Sequence, residues 1–343
     1  MQKTINRGTE QEAIDFVIMW VDGSDPEWQA EKRKYSPDAA DDDRPQRYRD
    51  YGLLPYWVRG VETFAPWVRR IHFVTWGHLP DWLDTSHPKL NIVRHSDYMP
   101  EEYLPTFSSN PLELNLFRIK GLSEHFVYFN DDVFILNSIK PGDFFRNGKP
   151  VDMLALQPVV ANPENPVMSH IFMNNSLLIC RYFDKRTQMK KLKSKFFNLR
   201  YPLMYLGYNC LETVFPLYTG FYTVHGPSPL LKSTCETLWS KEHDLLDEVS
   251  RHKFRSPDDV NQYIFREWQK QTGDFVPANL HRSFCYLNIV ARPQEAQDVI
   301  KKQKRSIVCI NDSDAGFDFD AVAAGLRSAF EAILPNPSSY EKY

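Results

Sequence analysis

The sequence predicts an α/β protein, with a Rossmann-like, mostly parallel sheet flanked by helices and a largely helical C-terminal part. Three observations lead there. Short runs of β-formers alternate with helical spacings over the first 150 residues. Two of those runs end in acidic turns, at the edge where such sheets bind ligands. After Pro150 helical patterns predominate.

Ile14–Val21 is apolar and rich in β-formers, so it reads as a buried strand, and Asp22-Gly23-Ser24-Asp25-Pro26 is a dense turn signal that ends it. Residues 29–50, which include Asp41-Asp42-Asp43, read as a solvated loop. Val58, Val61 and Phe64 are spaced three apart, which predicts a helix over Tyr56–Phe64 stopped by Pro66. Arg70–Thr75 and Leu90–His95 are the next expected strands. Leu112–Leu122 reads as a helix closed by Gly121. Phe126–Phe129 is a fourth strand running into Asn130-Asp131-Asp132, with Val133-Phe134-Ile135-Leu136 apolar again beyond it. Asn162–Pro166 reads as a loop, Leu230–Val249 and Asp258–Gln271 as helices, Ser306–Ile310 as a late strand and Asp320–Ile333 as a last helix. No internal repeat or low-complexity tract interrupts this order.

Composition narrows the function. With 42 % apolar and 14 % aromatic residues in 343, the chain can bury a sizeable core. Its 41 basic and 44 acidic residues leave a net charge of −3, which lacks the basic footprint of a nucleic-acid binder. Five cysteines, Cys180, Cys210, Cys235, Cys285 and Cys309, show no C-x-x-C spacing and suit a reducing compartment. Met1–Glu12 is polar, and no stretch reaches the ~18 apolar residues of a membrane span. The expected location is the cytoplasm, with peripheral attachment to the inner face of the membrane left open.

Several motifs can carry chemistry. Asp131 and Asp132 offer hard oxygen donors at a strand end, a suitable seat for Mg2+ (or Mn2+) on a diphosphate; the plain alternative is an ordinary Asx turn. Burying such a pair beside apolar strands is costly unless a cation or hydrogen-bond donors compensate. Trp20-Val21-Asp22-Gly23 reads equally as a nucleotide contact, with Gly23 allowing close backbone approach, or as a strand-end turn. His225, in His225-Gly226-Pro227, can take a proton from a hydroxyl near neutral pH, though a lone turn histidine is more often structural. Arg255 could clamp a phosphate bidentately, while Ser256, Pro257, Asp258 and Asp259 are explained as a helix start with Ser256 as the cap. The seven Lys and Arg between Lys185 and Arg200 read as a solvated helix face, or as an attractor for an anionic acceptor or membrane headgroups.

Taken together, the motifs resemble a known family. Ile14–Gly23 resembles the first conserved block of Stealth proteins. Arg47-Tyr48-Arg49-Asp50, Ala65-Pro66-Trp67-Val68-Arg69, Phe73-Val74-Thr75, Leu104–Ser109 and Phe129–Val133 look like the second. Thr223–Pro227 with Phe254-Arg255-Ser256 resembles the third, and Cys309-Ile310-Asn311-Asp312 the fourth. This family includes bacterial capsule and exopolysaccharide enzymes and the catalytic core of the lysosomal-enzyme N-acetylglucosamine-1-phosphotransferase. The resemblance implies sugar-1-phosphate transfer in capsular or exopolysaccharide synthesis. A UDP-sugar would give its hexose-1-phosphate, with N-acetylhexosamine-1-phosphate the expected unit, to a sugar hydroxyl of a glycan or glycolipid and release UMP. It also implies that Asp132, His225 and Arg255 are catalytic. Asp22, Gly23, Asn130, Glu113 and Asn311 would serve the donor, and Asp131 with Asp132 the metal. The long insertions and membrane anchors of the animal enzyme are missing, which points to a compact bacterial form.

The expected organisation is a polar extension over 1–13 and one catalytic domain over 14–343. Residues 14–150 would hold donor and metal, and 151–343 the acceptor and His225. Two other readings fit the same residues. A metal-dependent glycosyltransferase releasing UDP explains the acidic turn equally well. A non-enzymatic carbohydrate-binding protein would suit the 8 Trp, 17 Tyr and 23 Phe.

Overall fold

The computed structural model describes residues 13–35, 50–312 and 317–342. The N-terminal extension up to residue 12, Asp41–Asp43, Arg47-Tyr48-Arg49 and Ser313 lie outside the described residues. Eleven strands are described: β1 Ile14–Met19, β2 Ile71–Thr75, β3 Leu90–Arg94, β4 His125–Phe129, β5 Val133–Ile135, β6 Phe145–Arg146, β7 Lys149–Asp152, β8 Ser228–Leu231, β9 Val276–Pro277, β10 Phe284–Asn288 and β11 Ile307–Asn311.

The main sheet has the order β3-β2-β1-β4-β8. β1 pairs in parallel with β2 (Phe16 opposite Ile71) and with β4 (Phe16 opposite Val127), β2 pairs in parallel with β3, and β8 closes the edge antiparallel to β4. The sheet is therefore mostly parallel, as the sequence predicts. After β1 the chain adds β2 and β3 on one side and then β4 on the other. This reversal opens a crevice beyond the carboxyl ends of β1 and β4. A second sheet, β10-β11-β5, joins the first where β4 runs into β5.

Alternation along each strand supplies two cores. Phe16, Ile18, Phe73 and Phe129 face a layer containing the helices Leu54–Phe64 and Phe319–Glu331. Val17, Val74, Phe126 and Tyr128 face the other, with the helices Lys232–Lys241, His243–Ser250 and Tyr263–Thr272. Successive residues thus bury to opposite sides, each large apolar side chain contributing roughly 1.5–3 kcal/mol. Asp15, the polar residue within β1, is wholly buried. Burial opposes its ionisation, but His72 Nε2 at 3.0 Å, Arg69 Nε at 2.7 Å and the Ser123 amide at 2.9 Å outweigh that and hold its carboxyl below the ordinary range.

Some elements differ from expectation. The Leu112–Leu122 helix is Ser109–Asn115 followed by one tight turn, Leu116–Arg118, and Ser108 Oγ caps its start by accepting from the Asn110 amide at 3.3 Å. Leu230–Val249 divides into the end of β8 and two helices. The helix expected from Asp258 begins at Tyr263. Ser256 does not cap it: the Asp259 carboxylate takes the Ser256 amide at 3.1 Å, His252 Nδ1 at 2.6 Å and Asn110 Nδ2 at 2.7 Å, which folds 256–259 into a separate turn. A helix over Pro166–Tyr182 emerges directly from the expected loop. Lys185 departs from the solvated reading of the basic stretch, because it is buried and ion-paired to Glu212 at 2.6 Å.

Candidate active site

The acidic turn lies at the junction of the two sheets. After β4 the Val133 amide donates to the Asn130 carbonyl (3.1 Å), and β5 then pairs with β11, where the Ile310 amide donates to the Asp132 carbonyl at 2.8 Å. Asp131 and Asp132 are thereby held on short, well-bonded backbone rather than on a free loop. The residues leading into β8 run alongside β4 and carry His225 over the turn. Gly226 is required next to it, because a Cβ there would meet a Phe284 ring carbon at 2.7 Å.

Asp132, His225 and Tyr263 form a chain. His225 Nε2 lies 3.2 Å from Asp132 Oδ2 and its Nδ1 2.9 Å from the Tyr263 hydroxyl, while Asn130 Nδ2 is 3.4 Å from Nε2. Tyr263 first, then Asp132, raise the imidazole pKa well above the usual histidine range against the effect of burial. The Cys309 thiol also donates to Asp132 Oδ2, at 3.2 Å. Asp132 Oδ1, in contrast, is buried with no hydrogen-bond partner.

That orphaned oxygen bears on a metal. Asp131 faces the cleft and is reachable from it, yet the surrounding protein desolvates its carboxyl; with Asp132 beside it, this raises the pKa to about 7. Two crowded carboxylates, one with a buried unpaired oxygen, fit a hard divalent cation. Among the described residues, Asp132, His225 and Cys309 form the one group of three possible ligands, their atoms within 4.8 Å of one another. Burial and Asp132 push the Cys309 thiol well up, in keeping with its donation to Asp132. The hard oxygens of Asp131 and Asp132 suit Mg2+ or Mn2+, whereas the set containing the Cys309 sulfur suits a softer ion.

These groups open onto a cleft of about 1730 Å3, also lined by Glu113, Arg255, Asn311 and Asp312. Arg255 donates from Nη2 to Ser109 Oγ at 3.0 Å, while its Nε is buried without a partner. A guanidinium with a buried N–H still to satisfy suits an incoming anion. Glu113 is buried and accepts from the Tyr128 hydroxyl at 3.2 Å; burial raises its pKa, with Arg255 opposing.

Trp20 and Val21 line the same cleft, but Asp22 and Gly23 do not. The Asp22 carboxylate accepts from the Ser24 amide (2.8 Å) and hydroxyl (2.6 Å), and the Gly23 carbonyl accepts from Gln29. Asn311 Nδ2 donates to the Asp312 carbonyl at 2.8 Å, and Tyr51 donates to Asp312 Oδ2 at 2.7 Å. The structure thus gathers Glu113, Asn130, Asp131, Asp132, His225, Arg255 and Asn311 around one cleft, with Asp22 and Gly23 held in the adjoining turn. Sequence reasoning missed Tyr263, Ser109 and the thiol role of Cys309. Nothing in the sequence marks Tyr263, which meets His225 only because its helix packs beside β8.

Residues 12–39 match conserved region 1 of Stealth proteins and residues 47–152 match conserved region 2. The chain is 44 % identical to the capsular polysaccharide phosphotransferase WcwK of Streptococcus pneumoniae, over 96 % of this chain and 99 % of that protein. It is 37 % identical to the receptor polysaccharide phosphotransferase WefC of Streptococcus oralis, over 96 % and 99 %. It is also 37 % identical to the exopolysaccharide phosphotransferase cps2G of Lactiplantibacillus plantarum, over 96 % of both chains.

Proposed function

This chain belongs to the Stealth family and is an enzyme of the polysaccharide-phosphotransferase type; on that premise we propose that it moves hexose-1-phosphate from a UDP-sugar to a hydroxyl of a glycan or glycolipid and releases UMP. The observation that carries this reading is the division of labour at Asp132: one oxygen holds His225, and the other is buried and unpaired. The transferred unit would be an N-acetylhexosamine-1-phosphate destined for a capsular or exopolysaccharide. The 14–150 segment would seat the donor, and the 151–343 segment would bring the acceptor and His225.

Asp131 and Asp132 would hold Mg2+ or Mn2+, whose chemistry is to offset charge on the donor diphosphate. The residues of the chain do the remaining work. Arg255 binds a donor phosphate oxygen through the N–H that lacks a protein partner. Tyr263 and Asp132 orient the His225 imidazole and favour its protonated form; with that carboxylate charge offset by a cation on Asp131 and Asp132, the neutral imidazole takes the proton of the acceptor hydroxyl at Nε2. The acceptor oxygen bonds to the phosphorus bearing the sugar, the bond from that phosphorus to the bridging oxygen breaks, and UMP leaves with the bridging oxygen. Positioning and charge compensation supply most of the rate in such transfers.

The nucleotide product tests this reading. Incubation with UDP-N-acetylhexosamine, Mg2+ and a glycan acceptor should release UMP. Release of UDP would assign the chain to ordinary glycosyl transfer, and glycan binding without turnover would leave only a carbohydrate-binding role.

A further inference from the structure

Outside the cleft, the segment 199–217 is inverted in polarity. In the helix Leu203–Leu211 and the turn after it, Asn209 and Glu212 are turned inside. Asn209 is 0 % exposed, donating to the Leu154 and Phe196 carbonyls and accepting from the Leu156 amide. Glu212 is 1 % exposed and pairs with Lys185. The apolar residues face outward: Leu199 is 91 % exposed, Leu203 86 %, Val214 69 % and Leu217 69 %, with Met204, Leu211 and Phe215 also exposed. Seven of the thirteen large apolar side chains exposed among the described residues fall between Leu199 and Leu217. Such a concentration marks an interaction face, since scattered exposure is the ordinary condition.

The surroundings of this face identify what covers it. Arg186, Lys190, Lys191, Lys193 and Arg200 are exposed, and none is ion-paired among the described residues. A separate pocket of about 370 Å3 is lined by Arg146, Arg200 and Arg282, alongside Asp143. Arg200 links this pocket to the apolar face, lying between Leu199 and Leu203 in sequence. His281, next to Arg282, stacks on Tyr205 of the same helix at 5.3 Å. This local excess of positive charge occurs in a chain whose net charge is −3. An uncharged outward face bordered by cations is the pattern of a helix lying in the interface of an anionic bilayer.

We propose that residues 199–217 dock the enzyme onto an anionic lipid surface, with the apolar side chains entering the headgroup boundary and Arg200, Arg282 and the neighbouring lysines meeting lipid phosphates. The face adjoins the cleft. Val160 is exposed and lines it, and four residues after Leu217 the chain reaches Phe221 and then Tyr222, which line it too. Docking would therefore hold the cleft mouth near the membrane, where the acceptor would be a glycan carried on a lipid anchor. That last step rests on the transfer reading above; the docking itself does not.

The test is co-sedimentation of the full chain with vesicles of equimolar phosphatidylglycerol and phosphatidylcholine, compared with phosphatidylcholine alone. Binding is expected only to the anionic vesicles, and weakened by salt. The combined Leu203→Ser, Leu211→Ser, Val214→Ser variant and the combined Lys190→Gln, Lys191→Gln, Lys193→Gln variant should each bind roughly tenfold or more weakly. Both should keep the wild-type circular dichroism spectrum and urea midpoint, which shows that they fold. No binding by the wild type, or equal binding by the serine variant, would overturn the proposal. So would a wild-type dimer that the serine variant converts to monomer, because the face would then be covered by a second copy. Vesicle binding requires neither donor nor acceptor, so it can fail or succeed independently of the transfer chemistry.

Discussion

At the scale of single residues, Asp132 is asked to do two things, and its neighbours separate them. His225→Ala and Asp132→Asn should each lower turnover by about 10²- to 10⁴-fold, the usual worth of a positioned acid or base. Circular dichroism and the urea midpoint of either variant should stay near wild type, and full activity in either would remove that residue from the scheme. Tyr263 raises the His225 pKa, so Tyr263→Phe should lower it. The proton-accepting form would then appear at lower pH, and the acidic limb of the kcat/KM profile should move to lower pH. An unmoved limb would show that Tyr263 does not tune the imidazole. Cys309 separates two metal schemes. If it only donates to Asp132, Cys309→Ser keeps a donor and should retain both turnover and metal affinity. Loss of metal affinity in a folded Cys309→Ser protein would make the sulfur a ligand. Asn130, Asp131, Asp132 and His225 were legible in the sequence through their residue types and the family resemblance. Tyr263 was not, because a tyrosine in a helix carries no local mark of the partner it meets 38 residues away.

At the scale of elements, the helix Tyr263–Thr272 connects the site to the rest of the fold. Besides Tyr263 it carries Arg266, which is buried and donates to both Asp152 oxygens at 2.9 Å and to the Val224 carbonyl at 3.0 Å, next to His225. Gln269 Oε1 accepts from the Leu231 amide of β8, and its Nε2 donates to the Pro229 carbonyl. Asp152→Ala would leave Arg266 charged, buried and unpaired, at a cost of roughly 3–5 kcal/mol at neutral pH. Burial opposes ionisation of Asp152, but Arg266 and Lys270 hold its carboxyl below the ordinary range. A depressed carboxylate stabilises the fold above its unfolded pKa of about 3.9 and loses that contribution as pH falls through the folded value. The urea-midpoint gap between wild type and Asp152→Ala should thus be full at neutral pH and narrow below about pH 4; a gap constant with pH would contradict the ion-pair account. Strands β1 to β4 were readable because apolar runs ended in turn residues. The start of this helix was misplaced because Ser256, Pro257 and Asp258 imitate a cap, while Asp259 is drawn into a turn by His252 and Asn110.

At the scale of the molecule, the fold explains why residues far apart in sequence share one cleft. The strand order places the ends of β1 and β4 at the reversal point of the sheet, and β8 and β11 return from the second half of the chain to flank the acidic turn. Alternating strand and helix signals sufficed for the first part. The return of β8 and β11 depends on long-range pairing that no local pattern encodes, and so does the inverted polarity of 199–217. The central claim is that the bond made is to phosphorus, and the position of the donor β-phosphate decides it. With a UDP-sugar carrying ³²P at that phosphate, a glycan acceptor and Mg2+, the account predicts label in the acceptor and unlabelled UMP in solution. Label remaining in released UDP, with unlabelled sugar on the acceptor, would contradict it.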